Sequence, residues 1–127
     1  PHMPIVDVEV VTPNVESAVQ PSVAALASAL GRVFGSSPGN TWVRLRVLPA
    51  SCYAENDSPL SVDALPAFVS VLLARPPDGA ALQAQVEAVT HAVATWLARS
   101  PERVHVAYAP AASGRQAFGG NLVQSAG

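Results

Sequence analysis

Lysine is absent from these 127 residues, and all seven basic side chains are arginine. With nine acidic residues the formal net charge is -2, and no basic run or patch is visible, so nucleic acid is not an expected partner. Cysteine is nearly absent. The single Cys52 excludes an internal disulfide and offers no CxxC metal site, and it fits a reducing, cytoplasmic setting. No apolar stretch approaches the roughly 20 residues that span a bilayer. No basic start followed by an apolar segment suggests a secretory leader, so neither membrane nor export is expected. No His/Cys/Asp cluster has ligand spacing, so no metal or other cofactor is expected. Charge is also scarce, at 13%, against 50% hydrophobic residues. That balance suits one compact domain with apolar surface left over, as at an oligomer interface.

Periodicity predicts the elements. Residues 4–11 read as a strand, with Val6, Val8 and Val10 on one face and Asp7 and Glu9 on the other. A helix is expected to start within 17–21, capped by Ser17 and tolerating Pro21 in its first turn. It carries Leu26, Leu30 and Val33 on one stripe and stops at Gly35–Asn40. Thr41 to Leu48 reads as a second strand, with Trp42, Arg44 and Arg46 sharing a face. A polar loop over 50–64 follows. Phe68 to Ala74, nearly all apolar, predicts a strand buried on both faces. Asp78 caps a second helix with Leu82, Val86, Val89 and Val93 inward. Ser100-Pro101-Glu102 breaks it, and 103–109 forms the last strand before a Gly-, Ala- and Ser-rich tail. The order is β-α-β-β-α-β: an α+β fold of two fused β-α-β units, in one four-stranded sheet with both helices on one face. The other face needs a cover. Val6, Val8 and the flanks of the third strand are apolar candidates for it, and oligomerisation is the simplest solution.

The start of the chain carries the chemistry. A proline at a free amino terminus is a secondary amine, which accepts a proton; an internal proline is an amide and does not. Two prolines compete. Strand register favours Pro4, and His2-Met3 matches the pair that a common cloning site leaves, so 1–3 read as a tag remnant or N-terminal extension. A free Pro1 on a three-residue extension would sit around 10 Å from the place of Pro4, at about 3.3–3.6 Å per extended residue. The plain alternative is that Pro4 merely opens an edge strand.

Three segments in order, Pro4-Ile5-Val6, Arg44-Leu45-Arg46-Val47 and Ser100-Pro101-Glu102-Arg103-Val104-His105-Val106, resemble the tautomerase superfamily. The closest likeness is to its long members of the macrophage migration inhibitory factor and 5-carboxymethyl-2-hydroxymuconate isomerase type. The resemblance covers nearly the whole chain. It implies a homotrimer with active sites between subunits, an amino-terminal proline as general base, and small enol or unsaturated 2-oxo acids as substrates. It divides residues 4–127, a single domain, into a first half at 4–64, a second at 65–109, and a tail at 110–127 that packs on a neighbouring subunit. The chain departs from the family in three places. No arginine follows the first strand, no lysine follows the first helix, and His105 and Ala107 stand where the inhibitory factor has tyrosine and asparagine.

On that basis Pro4 is the catalytic candidate. Arg44 and Arg46 are expected to hold a substrate carboxylate; equally they could be surface arginines matched to Asp7, Glu9 or Glu55. Tyr53, Arg115 and Phe118 are expected to shape the pocket, against the plainer reading of a loop tyrosine and a loose tail. His105 and His91 read as ordinary strand and helix residues. The functional expectation is a cofactor-independent tautomerase or isomerase. A non-catalytic oligomeric binding module that keeps the fold is the alternative. A ferredoxin-like regulatory domain shares the element order and would differ in strand pairing.

Overall fold

A computed structural model describes residues 4–13 and 22–124. Strand β1 (Ile5–Thr12) leads to helix α1 (Val23–Phe34), then β2 (Trp42–Pro49), β3 (Ala67–Leu72), α2 (Gly79–Leu97) and β4 (Val104–Tyr108). Two short strands, β5 (Ala117–Phe118) and β6 (Asn121–Leu122), follow in the tail. The main sheet has the order β2-β1-β3-β4. Each helix joins a parallel pair, β1 with β2 and β3 with β4, and the two pairs meet antiparallel at β1 and β3. This adjacency of the first two strands excludes the ferredoxin-like alternative and gives the expected pair of fused β-α-β units.

Alternation explains which face is covered. Val6, Val8 and Val10 of β1 and Ala67, Val69 and Val71 of β3 are buried, and they join Leu26 and Leu30 of α1 and Val89 and Val93 of α2 in one core. Two expectations are corrected here. Val6 and Val8 do not supply the bare face, because they lie beneath the helices. The third strand is not buried on both faces either: Phe68 and Ser70 alternate outward, with Phe68 36% exposed. A nearly continuous apolar run conceals sidedness, because Phe68 on the outward side is as hydrophobic as the inward valines and only Ser70 marks the difference.

The helices are joined by polar contacts at their ends. The backbone carbonyl of Ser22 accepts a hydrogen bond from the Trp96 indole N–H at 2.7 Å, which ties α1 to the last turn of α2. The Ser22 hydroxyl accepts from the Ala25 amide at 3.3 Å, so the observed cap is Ser22. Ser17 and Pro21 lie outside the described residues. Ser22→Ala removes the cap and leaves the indole contact intact. It is expected to lower stability by about 1 kcal/mol, measured by urea denaturation. Asp78 stands at the start of α2 as expected but makes no side-chain cap bond. At its other end the helix closes on Ala98 in the left-handed region, and Ser100 caps a short turn over Pro101–Arg103.

The tail forms a short hairpin of β5 and β6. Gly119 and Gly120 form a two-residue loop between Phe118 and Asn121, with φ of +58° and +88°. Two successive positive φ values are what a tight right-twisted hairpin turn requires, and glycine supplies them without steric cost.

Candidate functional site

Pro4 stands immediately before β1 and is fully buried. Its carbonyl accepts the Trp42 amide at 2.9 Å, which fixes it against the start of β2. One further step of the antiparallel register beyond Ile5–Leu72 sets Leu73 opposite it. The tail engages both flanks. The Ala112 amide donates to the Leu73 carbonyl at 2.8 Å and the Ser113 amide to the Ala74 carbonyl at 3.1 Å. Farther along, the Phe118 ring meets the Trp42 ring edge to face, with centroids 5.3 Å apart. Residues 112–118 thus run from β3 to β2 past the end of the sheet where Pro4 lies. Arg115 is exposed within this span and has no side-chain partner among the described residues.

The open sheet face begins beside this point. Trp42, Arg44 and Arg46 share it, as alternation predicts. In the parallel register Arg44 lies beside Asp7 and Arg46 beside Glu9. Arg44 donates from Nε to Asp7 Oδ1 at 2.5 Å and from Nη2 to Oδ2 at 2.8 Å, a two-pronged bond that satisfies both carboxylate oxygens. Arg46 approaches the same carboxylate at 3.8 Å. Of the acids that could have matched these arginines, Asp7 is the one selected. The side chain of Arg46 is 59% exposed and donates no hydrogen bond among the described residues.

The hydrogen bonds from Arg44 hold the Asp7 carboxyl below the usual carboxylate range, against an opposing desolvation cost, with the charges of Arg44 and Arg46 adding to the effect. A carboxyl with a depressed folded-state pKa stabilises the fold above its ordinary pKa. That contribution fades as pH falls through the depressed value. The NMR titration of the Asp7 carboxyl carbon should therefore have its midpoint below that of an unstructured aspartate. Arg44→Gln should move the midpoint upward.

Tyr53 is placed elsewhere. It follows a short turn after β2, at the end of the sheet away from Pro4. There its hydroxyl donates to Glu55 Oε2 at 2.7 Å, and this bond raises the phenol pKa. Its ring packs on Phe68 at 5.9 Å, and Phe68 packs on His105 at 5.6 Å. Pro4, Phe118 and the segment bearing Arg115 are brought together within one chain, Arg44 and Arg46 lie along the adjoining face, and Tyr53 lies at the far end. The Leu73–Ala112 tie and the Phe68–His105 pair had no sequence motif. The latter becomes visible only from the register that sets Phe68 beside His105.

Among the described residues no group of three or more metal-binding side chains occurs, and no helix is long and apolar enough to cross a membrane.

No protein-family model and no curated protein matches the chain in sequence. Solved structures do match in shape. A fused 4-OT solved as an asymmetric trimer superposes with a TM-score of 0.73 at 17% identity, over 93% of this chain and 94% of that one. A macrophage migration inhibitory factor homologue from Prochlorococcus marinus gives 0.69 at 15% identity, over 93% and 97%. Malonate semialdehyde decarboxylase, solved also in inactivated form and with its leading proline replaced by alanine, gives 0.64 at 15% identity, over 90% and 89%. The chain has the tautomerase-superfamily fold.

Proposed function

We propose that this chain is a cofactor-independent tautomerase or isomerase of small enol or unsaturated 2-oxo acids, with Pro4 as its general base when that residue is the amino terminus. The observation that carries the reading is the burial of Pro4 at the head of β1, between Trp42 and Leu73 and beside a tail bonded to both flanks. A free α-amino group has a pKa of roughly 7.7–8.0, already closer to neutrality than any lysine. Burial disfavours its cationic form, as does a neighbouring arginine. An amine so placed is part neutral at working pH. It can take the hydroxyl proton of an enol and return a proton to the adjacent carbon, which completes ketonisation with no external reagent.

Substrate recognition falls to the arginines in unequal parts. Arg44 is neutralised by Asp7, whereas Arg46 and Arg115 keep free donors for a carboxylate. Phe118 and Trp42 provide an apolar wall. The fused 4-OT structures are trimers, and a homotrimer here would cover the open sheet face that carries Phe68, Tyr53 and His105. The tail would then border a shared site.

One observation favours the second reading, a non-catalytic oligomeric module: the fork of Arg44 is filled by the chain's own Asp7. The deciding test is ketonisation of phenylenolpyruvate and 2-hydroxymuconate by a chain that begins at Pro4, with the terminus verified by mass spectrometry. Turnover that disappears when residues 1–3 are restored supports the enzyme. Inactivity of both forms across a panel of enols would leave the binding module.

A further inference from the structure

A second cleft lies at the other end of the sheet. It has a volume of about 320 Å³ and is lined by Asp63 and Leu65 before β3, and by Arg99, Ser100 and Arg103 around the end of α2. Because β1 and β3 are antiparallel, the start of β3 is far from Pro4. The Val11 amide bonds the Pro66 carbonyl, so the cleft wall lies seven residues along β1, about 20 Å away at strand spacing. The surface that the cleft exposes is mostly polar, and Leu65 is buried beneath it. A ligand here is therefore selected by charge and hydrogen bonding, not by an apolar body.

Arg99 is the unusual residue. It is partly buried, and one nitrogen, Nη1, donates at 3.1 Å to the carbonyls of both Leu65 and Pro66. No carboxylate pairs with it among the described residues. Removing a cation from water without a counter-charge is costly, and desolvation pushes the Arg99 pKa down. The two carbonyls recover part of that cost and anchor the guanidinium, but they occupy one donor nitrogen and leave Nε and Nη2 unused. Arg103, four residues on, lines the same cleft and makes no ion pair among the described residues. Between them Ser100 accepts the Glu102 amide on its hydroxyl oxygen at 3.3 Å, which keeps the hydroxyl proton for another acceptor. Asp63 is the one acid of the lining. It pairs with neither arginine, nor does Glu102 on the turn between them. The lining is thus one unit positive, with donors unused on three side chains. A guanidinium grips phosphate oxygens two at a time, and two cations attract a dianion about twice as strongly as a monoanion.

We propose that this cleft binds a phosphate-type oxyanion, free or as the phosphate group of a small polar ester, with Arg99, Ser100 and Arg103 as its donors. The site is separate from Pro4 and does not depend on the chain's being an enzyme. The test is a titration of the full chain with inorganic phosphate, with glycerol 3-phosphate and with acetate. It is run under mildly alkaline conditions at matched ionic strength, and amide and arginine Nε–H shifts are followed in nitrogen–proton NMR spectra. Both phosphates are expected to give saturable shifts at 63–65 and 99–103, with roughly fivefold or greater preference over acetate. Equal affinity for the two would identify the free anion as sufficient, and tighter binding of the ester would show that the polar body contributes; either supports the site. Arg103→Gln should weaken phosphate binding about tenfold with unchanged thermal unfolding. Asp63→Asn, which removes the opposing charge, should tighten it severalfold and serves as the reporter if the arginine variant fails to fold. Non-saturable shifts, saturation centred on residues 4 and 112–118, acetate binding as tight as phosphate, or indifference to both substitutions would each overturn the proposal.

Discussion

A chain that begins at Pro4 is expected to ketonise enol acids about 10²–10⁴-fold faster than the same chain preceded by residues 1–3, the range by which a positioned general base accelerates proton transfer. The difference is electronic rather than steric. In the longer chain the Pro4 nitrogen is an amide whose lone pair is delocalised into the Met3 carbonyl, so it has no basicity at any working pH. Trimming converts that atom into a secondary amine without changing the strand behind it, because the strand is held by bonds independent of the nitrogen: Trp42 to the Pro4 carbonyl, and the β1 ladders on both sides. A loss of activity on extension therefore cannot be assigned to unfolding if circular dichroism is unchanged.

The pH profile gives an independent reading of the same atom. With the trimmed chain, kcat/KM should rise with pH through the amine pKa, because the neutral form is the base, and that midpoint should lie at or below the ordinary α-amino value. Pro4→Ala in the trimmed form keeps an amine but loses the ring that pins it in place. It should retain a titrating limb at a lower rate. Equal rates for the trimmed chain, the longer chain and the alanine variant would show that another group performs the proton transfer.

The sheet was legible in the chain to the extent that alternation is. Val6, Val8 and Val10 against Asp7 and Glu9 separated the two faces of β1, but Val6 and Val8 were assigned to the uncovered side and lie beneath the helices; Trp42, Arg44 and Arg46 were rightly grouped on one face of β2. Phe68 is apolar and sits among valines and leucines, and Ser70, the one polar residue on its side, was outweighed by that run. The start of α1 was placed too early: the helix begins at Val23 with Ser22 as its cap, and the Ser22 carbonyl is also bonded by Trp96, 74 positions distant. Of the site, Pro4 and Phe118 could be named from residue type, but their proximity arises from the tail crossing from Leu73 to Trp42, which nothing local encodes. The Asp7–Arg44 bond required the parallel register, and the remoteness of Tyr53 from Pro4 required the strand direction.

A homotrimer built on the open sheet face predicts that replacing Phe68 by glutamate yields single chains while leaving the fold of each intact. Phe68 lies on β3, an interior strand of the sheet, at the centre of a ring cluster with Tyr53 and His105 on the uncovered face. Trp42 adds an indole that is 41% exposed on the same face. Exposed aromatic rings clustered on an open face are the composition of a subunit interface core, where a single anchor is worth about 2–4 kcal/mol. A glutamate there loses the ring packing and buries an unpaired charge. The antiparallel register also sets it directly beside Glu9, so in a trimer two like charges would face a neighbouring subunit together. None of these terms touches the opposite face, where Val69 and Val71 hold the helices, so helical circular dichroism should persist. Sedimentation equilibrium of the unaltered chain should give three chains per particle and that of Phe68→Glu one. Leu60→Glu, in the loop before β3, should stay trimeric as the control. If the site is shared between subunits, turnover by a Pro4-initiated Phe68→Glu chain should fall with the loss of assembly and recover as protein concentration restores it. A trimer that survives the substitution would place the interface on another surface. A turnover indifferent to assembly would place the whole site within one chain, built from Pro4, Trp42, Phe118 and Arg115 alone.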